Sequence, residues 1–300
     1  VNRHSKFDPK RVKLHPIRER RYKISVDDFV RLDSCVSPFA SKTLDRLAER
    51  IAKGHRERRI IIAMLGAHVI KCGLSLFIID LLERKIISHV ALNGAGAIHD
   101  FEIGLIGATS EYVEETLVDG SFGMAQETGI INDIVRLQSD GFGASVGKYI
   151  EENLAHRRFS ILANAYRLRI PATVHVAIGT DIIHQHPNFD GAATGRATYE
   201  DFKIFVSSVT QLEGGVILNI GSAVMLPEVF LKAFSIARNL GHQITTLTAA
   251  NLDMIDHYRP RVNVLERPAK GRGEKLNVIE RHEKTIPYLY RRVLEKLSLA

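Results

Sequence analysis

At 300 residues, 45% hydrophobic and 25% charged, the chain has the composition of an ordinary globular protein large enough for one α/β domain. Its two cysteines, Cys35 and Cys72, form no CxxC pair, which argues against a disulfide framework and for a reducing, cytoplasmic setting; no apolar run reaches the roughly 18 residues a membrane span needs. The net charge of +7 is carried by residues 1–24, where nine Lys/Arg stand against Asp8 and Glu19, so it points to an arm that meets acidic side chains of its own or a neighbouring subunit rather than to a nucleic-acid surface.

Residues 1–37 read as this basic, irregular arm, interrupted by Pro9 and Pro16, and residues 38–300 as a single domain. Ser37 or Ser41 offers a cap for a helix through Lys53, with Leu44, Leu47 and Ile51 on one face and Gly54 as its stop. Arg59 to Leu65 is too short for a helix and too apolar for an exposed strand, so it is expected to be a strand covered on both faces. Leu74, Phe77, Ile78 and Leu81 follow at helical spacing towards Lys85, and Ile86 to Leu92 is the next strand.

Eight glycines between Gly104 and Gly147 mark a turn-rich excursion, long for a plain crossover, which reads as a functional insertion or lid. A helix is expected over Val146 to Leu168, stopped by Pro171, then a strand Thr173 to Ile178, a helix Tyr199 to Leu212 and a strand Gly215 to Ile220. A helix Pro227 to Leu240 and a strand Gln243 to Leu247 follow; Arg267 to Gly273 reads as a surface loop before a closing helix at Pro287 to Leu297. Five or six strands alternating with helices predict an α/β fold with a doubly wound, mostly parallel sheet of the Rossmann type.

Such sheets bind ligands at the carboxyl ends of their strands. Gly66 and His68 follow the first strand there. Asn93, Gly94 and Gly96 follow the second, where glycines let backbone approach a ligand and helix amides favour a phosphate, although a plain turn explains them equally well. His99, Asp100 and Glu102 put three ionisable groups into one stretch; they could cap a helix, bind an amine, hold a ribose or relay a proton. Thr180, Asp181, His184 and His186 form a third cluster, read as substrate or cofactor binding with His184 as a catalytic candidate. The rival is a zinc site on His184 and His186 completed by His175, His68 or Asp181, though neither HExxH nor CxxC is present.

The order Gly66-Ala67-His68-Val69-Ile70-Lys71-Cys72-Gly73, then Asn93 through Glu102, then Ile170-Pro171-Ala172 leading to Gly179-Thr180-Asp181, resembles the deoxyhypusine synthase family. Gly221-Ser222-Ala223-Val224 and Thr248-Ala249-Ala250-Asn251-Leu252-Asp253 fall where that family has a Gly-Gly-Gly turn and an Asn-Thr-x-x-Glu-Phe-Asp stretch, so the similarity runs from Arg59 to Pro260. The resemblance implies a homo-oligomeric NAD-binding α/β protein that oxidises the amine-bearing carbon of spermidine. It also implies that Thr109, Ser110, Asp181, Gly221, Ser222 and Asp253 contact NAD, and that His99, Asp100 and Glu102 face the polyamine.

The chain departs from the family at the acceptor lysine, whose place falls at Pro268; there is no tryptophan, and the nearby Lys270 lies in a basic, glycine-rich loop. Asn93-x-x-x-Ala97-x-His99-Asp100-x-Glu102 is also similar to the His-Asp-x-Glu stretch of archaeal-type NAD-dependent ornithine cyclodeaminases, whose chemistry needs no such lysine. Both resemblances imply NAD-dependent chemistry on an amine-bearing substrate, a polyamine or a basic amino acid. A zinc-dependent hydrolase and a non-catalytic, NAD-binding regulatory protein are the alternatives.

Overall fold

The computed structural model describes residues 4–34, 39–137 and 140–299. The proposed cap Ser37 lies outside the described residues. In chain order come β1 (Ile24–Ser25), α1 (Lys42–Arg56), β2 (Ile61–Leu65), α2 (His68–Lys71), α3 (Ser75–Glu83), β3 (His89–Asn93) and α4 (Gly94–Ile106). The excursion holds β4 (Ala108–Thr109), α5 (Val113–Asp119) and α6 (Ile130–Leu137), and α7 (Phe142–Asn153), α8 (Ile161–Leu168) and β5 (Ala172–His175) follow. The rest is α9 (Gly191–Val209), β6 (Val216–Ile220), α10 (Met225–Asn239), β7 (Thr248–Asp253), β8 (Glu274–Ile279) and α11 (His282–Leu297), with a π-helical segment over Pro260–Glu266.

β2 is apolar at every position because both of its faces are covered. Ile61, Ala63 and Leu65 point into one hydrophobic cluster with α1, α3, α7, α8 and α11, while Ile62 and Met64 point into a second with Phe205 of α9 and Phe230 of α10. This is the period-two alternation of a strand read twice over. The six-stranded sheet runs β5-β3-β2-β6-β7-β8, every pair parallel. From β2 the chain winds outward through β3 to β5, crosses back to β6 on the other side of β2, and winds outward again. That is the Rossmann-like, doubly wound order.

Several boundaries differ from the sequence-based expectation for local physical reasons. Ser41 Oγ accepts from Leu44 N at 3.3 Å and starts α1, but the helix runs through the buried Gly54 and the chain turns at Arg58, whose φ is 53°. The span Val146 to Leu168 is two helices, broken where Ser160 caps α8 by accepting from Ala163 N at 3.0 Å. Gln243 to Leu247 is not a strand: the Glu213 carboxylate takes the amides of Thr245 and Thr246 and holds the segment as a loop, so β7 begins at Thr248. β8 has no counterpart in the sequence reading because it is an edge strand, burying Leu276 and Val278 while Lys275, Asn277 and Ile279 are exposed.

The N-terminal arm packs onto the excursion. β1 pairs antiparallel with β4, Ile24 opposite Thr109 and Ser25 opposite Ala108. Lys23 N donates to Ser110 O at 2.7 Å, and Arg21 meets Glu115 at 2.9 Å. No helix among the described residues is long and apolar enough to cross a membrane.

Candidate functional site

β2 and β6 lie side by side, and the chain leaves their carboxyl ends in opposite directions, which makes this edge the switch point where doubly wound sheets form their ligand crevice. Gly66 N donates to Ile220 O at 2.8 Å, and a Cβ on Gly66 would run into the Gly221 carbonyl oxygen. Gly221 itself has φ 69°, a left-handed conformation that side chains resist. Ser222 Oγ accepts from Leu226 N at 3.2 Å and so ties down the start of α10; with Pro227 next in the chain, Met225 N is the first-turn amide left over. Asp253 closes the neighbouring strand β7, with Oδ1 accepting from Met254 N at 2.7 Å.

The same crevice contains a residue the sequence reading did not single out. His282 opens α11 just after β8; it is 1% exposed, and neither of its ring nitrogens has a hydrogen-bond partner among the described residues. Burial lowers its pKa below that of an ordinary imidazole, against the opposing pull of Asp253. The His68 ring lies 6.1 Å from the His282 ring, centroid to centroid. Gly66, His68, Gly221, Ser222 and Asp253 therefore converge, from three separate strand ends.

The Asn93 turn serves α4. Asn93 Oδ1 accepts from Gly96 N at 2.9 Å, and a Cβ on Gly94 would strike the Asp181 carboxylate. The place an anionic ligand would take at the start of α4 is filled by that carboxylate, so the phosphate reading of Gly94 and Gly96 gives way to helix capping.

Two of the three ionisable groups on α4 are engaged by the protein itself. Asp100 accepts from Ser160 Oγ at 2.5 Å, Ile161 N at 2.7 Å and Leu162 N at 2.9 Å, fully buried at the start of α8. Burial pushes its pKa up to about 6 despite these bonds. Glu102 accepts both Arg20 guanidinium nitrogens, Nη1 at 2.9 Å and Nη2 at 2.7 Å, together with Thr128 Oγ1 at 2.8 Å and Thr109 Oγ1 at 2.5 Å. Burial would raise the Glu102 pKa, but the Arg20 bonds and charge outweigh it and hold the carboxyl below its usual range. The expectation that Asp100 faces an amine is thus corrected, since it caps a helix; Glu102 does line the same cavity as His99, but its oxygens are taken by Arg20, Thr109 and Thr128.

His99 is different. Thr109 gives its single hydroxyl proton to Glu102, so His99 Nδ1, 2.8 Å from Thr109 Oγ1, is the donor in that pair and Nε2 keeps its lone pair. Burial lowers the His99 pKa to about 4, which keeps the ring neutral near pH 7. Thr109, assigned to NAD by resemblance, serves this relay instead.

His99 lines a cavity of about 190 Å³ together with Arg20, Lys71, Ser110, Glu111 and Asp181, closed on its apolar side by Val113, Phe122 and Ile182. Ser110 holds a left-handed φ of 66°, a conformation that concentrates at functional sites. Glu111 and Asp181 have side chains 5% and 6% exposed, and Glu111 Oε2 and Asp181 Oδ2 have no hydrogen-bond partner. Burial raises both pKa values, that of Asp181 to about 6, while Arg20 opposes the shift at Glu111 and Thr180 and the Ala95 amide oppose it at Asp181. Arg20, Lys71 and Glu111 were not legible as site residues, since they reach the cavity from the arm, α2 and the excursion.

The remaining candidates stabilise loops or the core. His184 Nδ1 accepts from Gly179 N and Asp181 N, both at 3.1 Å, with its ring against Phe189; Thr180 Oγ1 donates to Ala177 O at 2.7 Å. His186 Nε2 donates to Gly123 O at 2.8 Å, and His175 pairs with Thr173 beside Phe205. Among the described residues no three His, Cys, Asp or Glu side chains come together to hold a metal, so the zinc pair lacks the ligands that would complete it. Lys270 is exposed just before β8 begins, at the amino-terminal edge of the sheet and opposite the cavity.

No protein-family model matches the chain, and no curated protein matches it. Solved structures do. AgrE, in a ternary complex with ornithine and NAD+, superposes with a TM-score of 0.53 at 15% identity, over 88% of this chain and 34% of AgrE. A Methanococcus maripaludis S2 protein described as LOR/SDH superposes at 0.51 and 15% identity, over 89% of this chain and 72% of its own. An Entamoeba histolytica protein described as a deoxyhypusine synthase reaches 0.49 at 10% identity, over 85% of this chain and 88% of its own. The chain spans about a third of the length of AgrE. At 15% identity the likeness to AgrE and to the Methanococcus maripaludis protein establishes the Rossmann-like fold.

Proposed function

We propose that this protein binds NAD in the β2/β6 crevice and uses it to oxidise the amine-bearing carbon of a small substrate held in the neighbouring cavity. The observation that carries the reading is the pairing of two features at one sheet edge. A glycine turn, a helix start and Asp253 form the half-site that suits a pyrophosphate and a ribose, next to a cavity whose base and carboxylates suit an ammonium. The residues present fit the cofactor: the buried, unpartnered His282 nitrogens await a polar partner beside the bare backbone of the Gly221 turn.

Bound NAD would supply the hydride acceptor. The chain's own part begins with the amine, which must lose a proton before its carbon can give up hydride. Asp181, whose pKa burial raises to about 6, is the stronger proton acceptor on the cavity wall, and the neutral His99 Nε2, with Nδ1 committed to Thr109, accepts a hydrogen bond from the amine. Lys270 lies at the far edge of the sheet, so the reading involves no transfer to an acceptor lysine. AgrE, which shares the fold, was crystallised with NAD+ and an amine-bearing amino acid, and that supports the same pairing of ligands here.

The test is a melting-temperature measurement with millimolar NAD, followed by NADH absorbance with ornithine, putrescine or spermidine. A shift with NAD and absorbance with one amine is expected. No shift overturns the cofactor assignment, and a shift without absorbance from any amine favours a non-catalytic NAD-binding protein.

A further inference from the structure

The two carboxylates expected to meet a substrate are occupied, yet the cavity has two others that are only partly so: Asp181 Oδ2 lies beside Gly94, 3.9 Å from His184 Nε2, and Glu111 uses one oxygen alone. Glu111 comes from the excursion just after β4, and Asp181 from the loop after β5; both side chains are more than nine-tenths buried and each has one oxygen without a partner. An unsatisfied buried carboxylate oxygen is costly unless a donor arrives or the group takes up a proton. One Glu111 oxygen is already used by Gly123 N at 3.1 Å and lies 3.6 Å from Arg20, which leaves Oε2 for a ligand. Arg20 is committed to Glu102, so the cation on the cavity wall that has no ion pair among the described residues is Lys71, exposed at the end of α2.

We propose that Glu111 and Asp181 form the ammonium-binding subsite of the cavity, and that Lys71 selects ligands that also carry an anionic group. The inference rests on the reading of the cavity as the amine site; it moves Asp181 from the NAD contact that the resemblance implied and adds Glu111 and Lys71, to which the resemblance gave no role. A ligand ammonium supplies several donors, enough for Glu111 Oε2 and Asp181 Oδ2 together. A plain diamine would bring its second cation towards the Lys71 ammonium; an amino acid brings its carboxylate there instead. The cavity should therefore prefer a diamino acid to a diamine of the same length.

The experiment is calorimetric titration of the full chain with ornithine and with putrescine, with and without NAD, for the wild type, Glu111→Gln and Lys71→Met. The wild type is expected to bind ornithine about tenfold or more tightly than putrescine, a difference of about 1.4 kcal/mol. Glu111→Gln keeps the oxygen that accepts from Gly123 N and should lose at least about tenfold in affinity for both amines while binding NAD unchanged. Lys71→Met, at an exposed position, should lose the preference for ornithine and keep putrescine. Equal binding of the two amines by the wild type, binding of neither, or full ornithine affinity in either variant overturns the proposal. Loss of NAD binding with the amine pattern intact overturns the cofactor assignment alone.

Discussion

Arg20 of the N-terminal arm and Glu102 of α4 form a two-pronged ion pair, Nη1 to Oε1 at 2.9 Å and Nη2 to Oε2 at 2.7 Å, with both side chains buried. The pair sits in the cavity wall, so the arm is part of the candidate site. Removing one partner of a buried pair leaves the other without its counter-charge. Glu102→Gln is therefore expected to destabilise the fold by about 3–5 kcal/mol in urea denaturation. A loss below about 1 kcal/mol would mean that Glu111, 3.6 Å from Arg20, suffices as its partner.

Asp100→Ala separates structure from recognition. It removes the acceptor for Ser160 Oγ and for the Ile161 and Leu162 amides, at a cost of about 2 kcal/mol or more. Affinities for NAD and for amines should stay within about twofold of wild type. Loss of amine affinity at unchanged stability would return Asp100 to the substrate.

A third expectation concerns pH. Asp201 on α9 accepts from Val174 N at 2.6 Å and Gly143 N at 2.8 Å, and burial pushes its pKa up to about 7 against those bonds. A carboxyl whose folded pKa lies above its unfolded value of 3.8 adds stability that is complete below that value and lost as pH rises through about 7. The melting temperature of the wild type should fall between about pH 5 and about pH 8 more steeply than that of Asp201→Asn, whose amide oxygen can still accept. Parallel profiles for the two proteins would contradict the assignment.

The fourth concerns the lysine that related chemistry would need. Lys270→Ala should change neither NAD binding nor any amine-dependent NADH signal by more than about twofold, since the side chain is exposed at the opposite edge of the sheet. Borohydride trapping of an imine at Lys270 would reverse that conclusion.

Much of the fold was legible because a strand covered on both faces has no polar positions, as in Ile61 to Leu65. β8 escaped notice because only Leu276 and Val278 of its side chains are buried, and β7 was placed too early because Thr248-Ala249-Ala250-Asn251 carries little apolar signal. The crevice residues Gly221, Ser222 and Asp253 could be found since they follow strands directly. Glu111 and Arg20 could not, because only tertiary packing of the arm and the excursion brings them to the cavity; His282 was hidden behind the strand that went unrecognised. Asp100 misled for the opposite reason, as a helix cap and a catalytic carboxylate look alike until their partners are known.

The ladder between β1 and β4 and the Arg20–Glu102 pair, 82 residues apart, set an order of assembly. During synthesis the arm leaves the ribosome well before the helix and strand that receive it, and Thr128, the last ligand of Glu102, emerges later still. Closing so long a loop earns no contacts until its far end exists. The cavity is therefore among the last parts of this region to mature, and the nascent arm, rich in arginine and lysine, waits in solution as a substrate for proteases until α4 and β4 have formed.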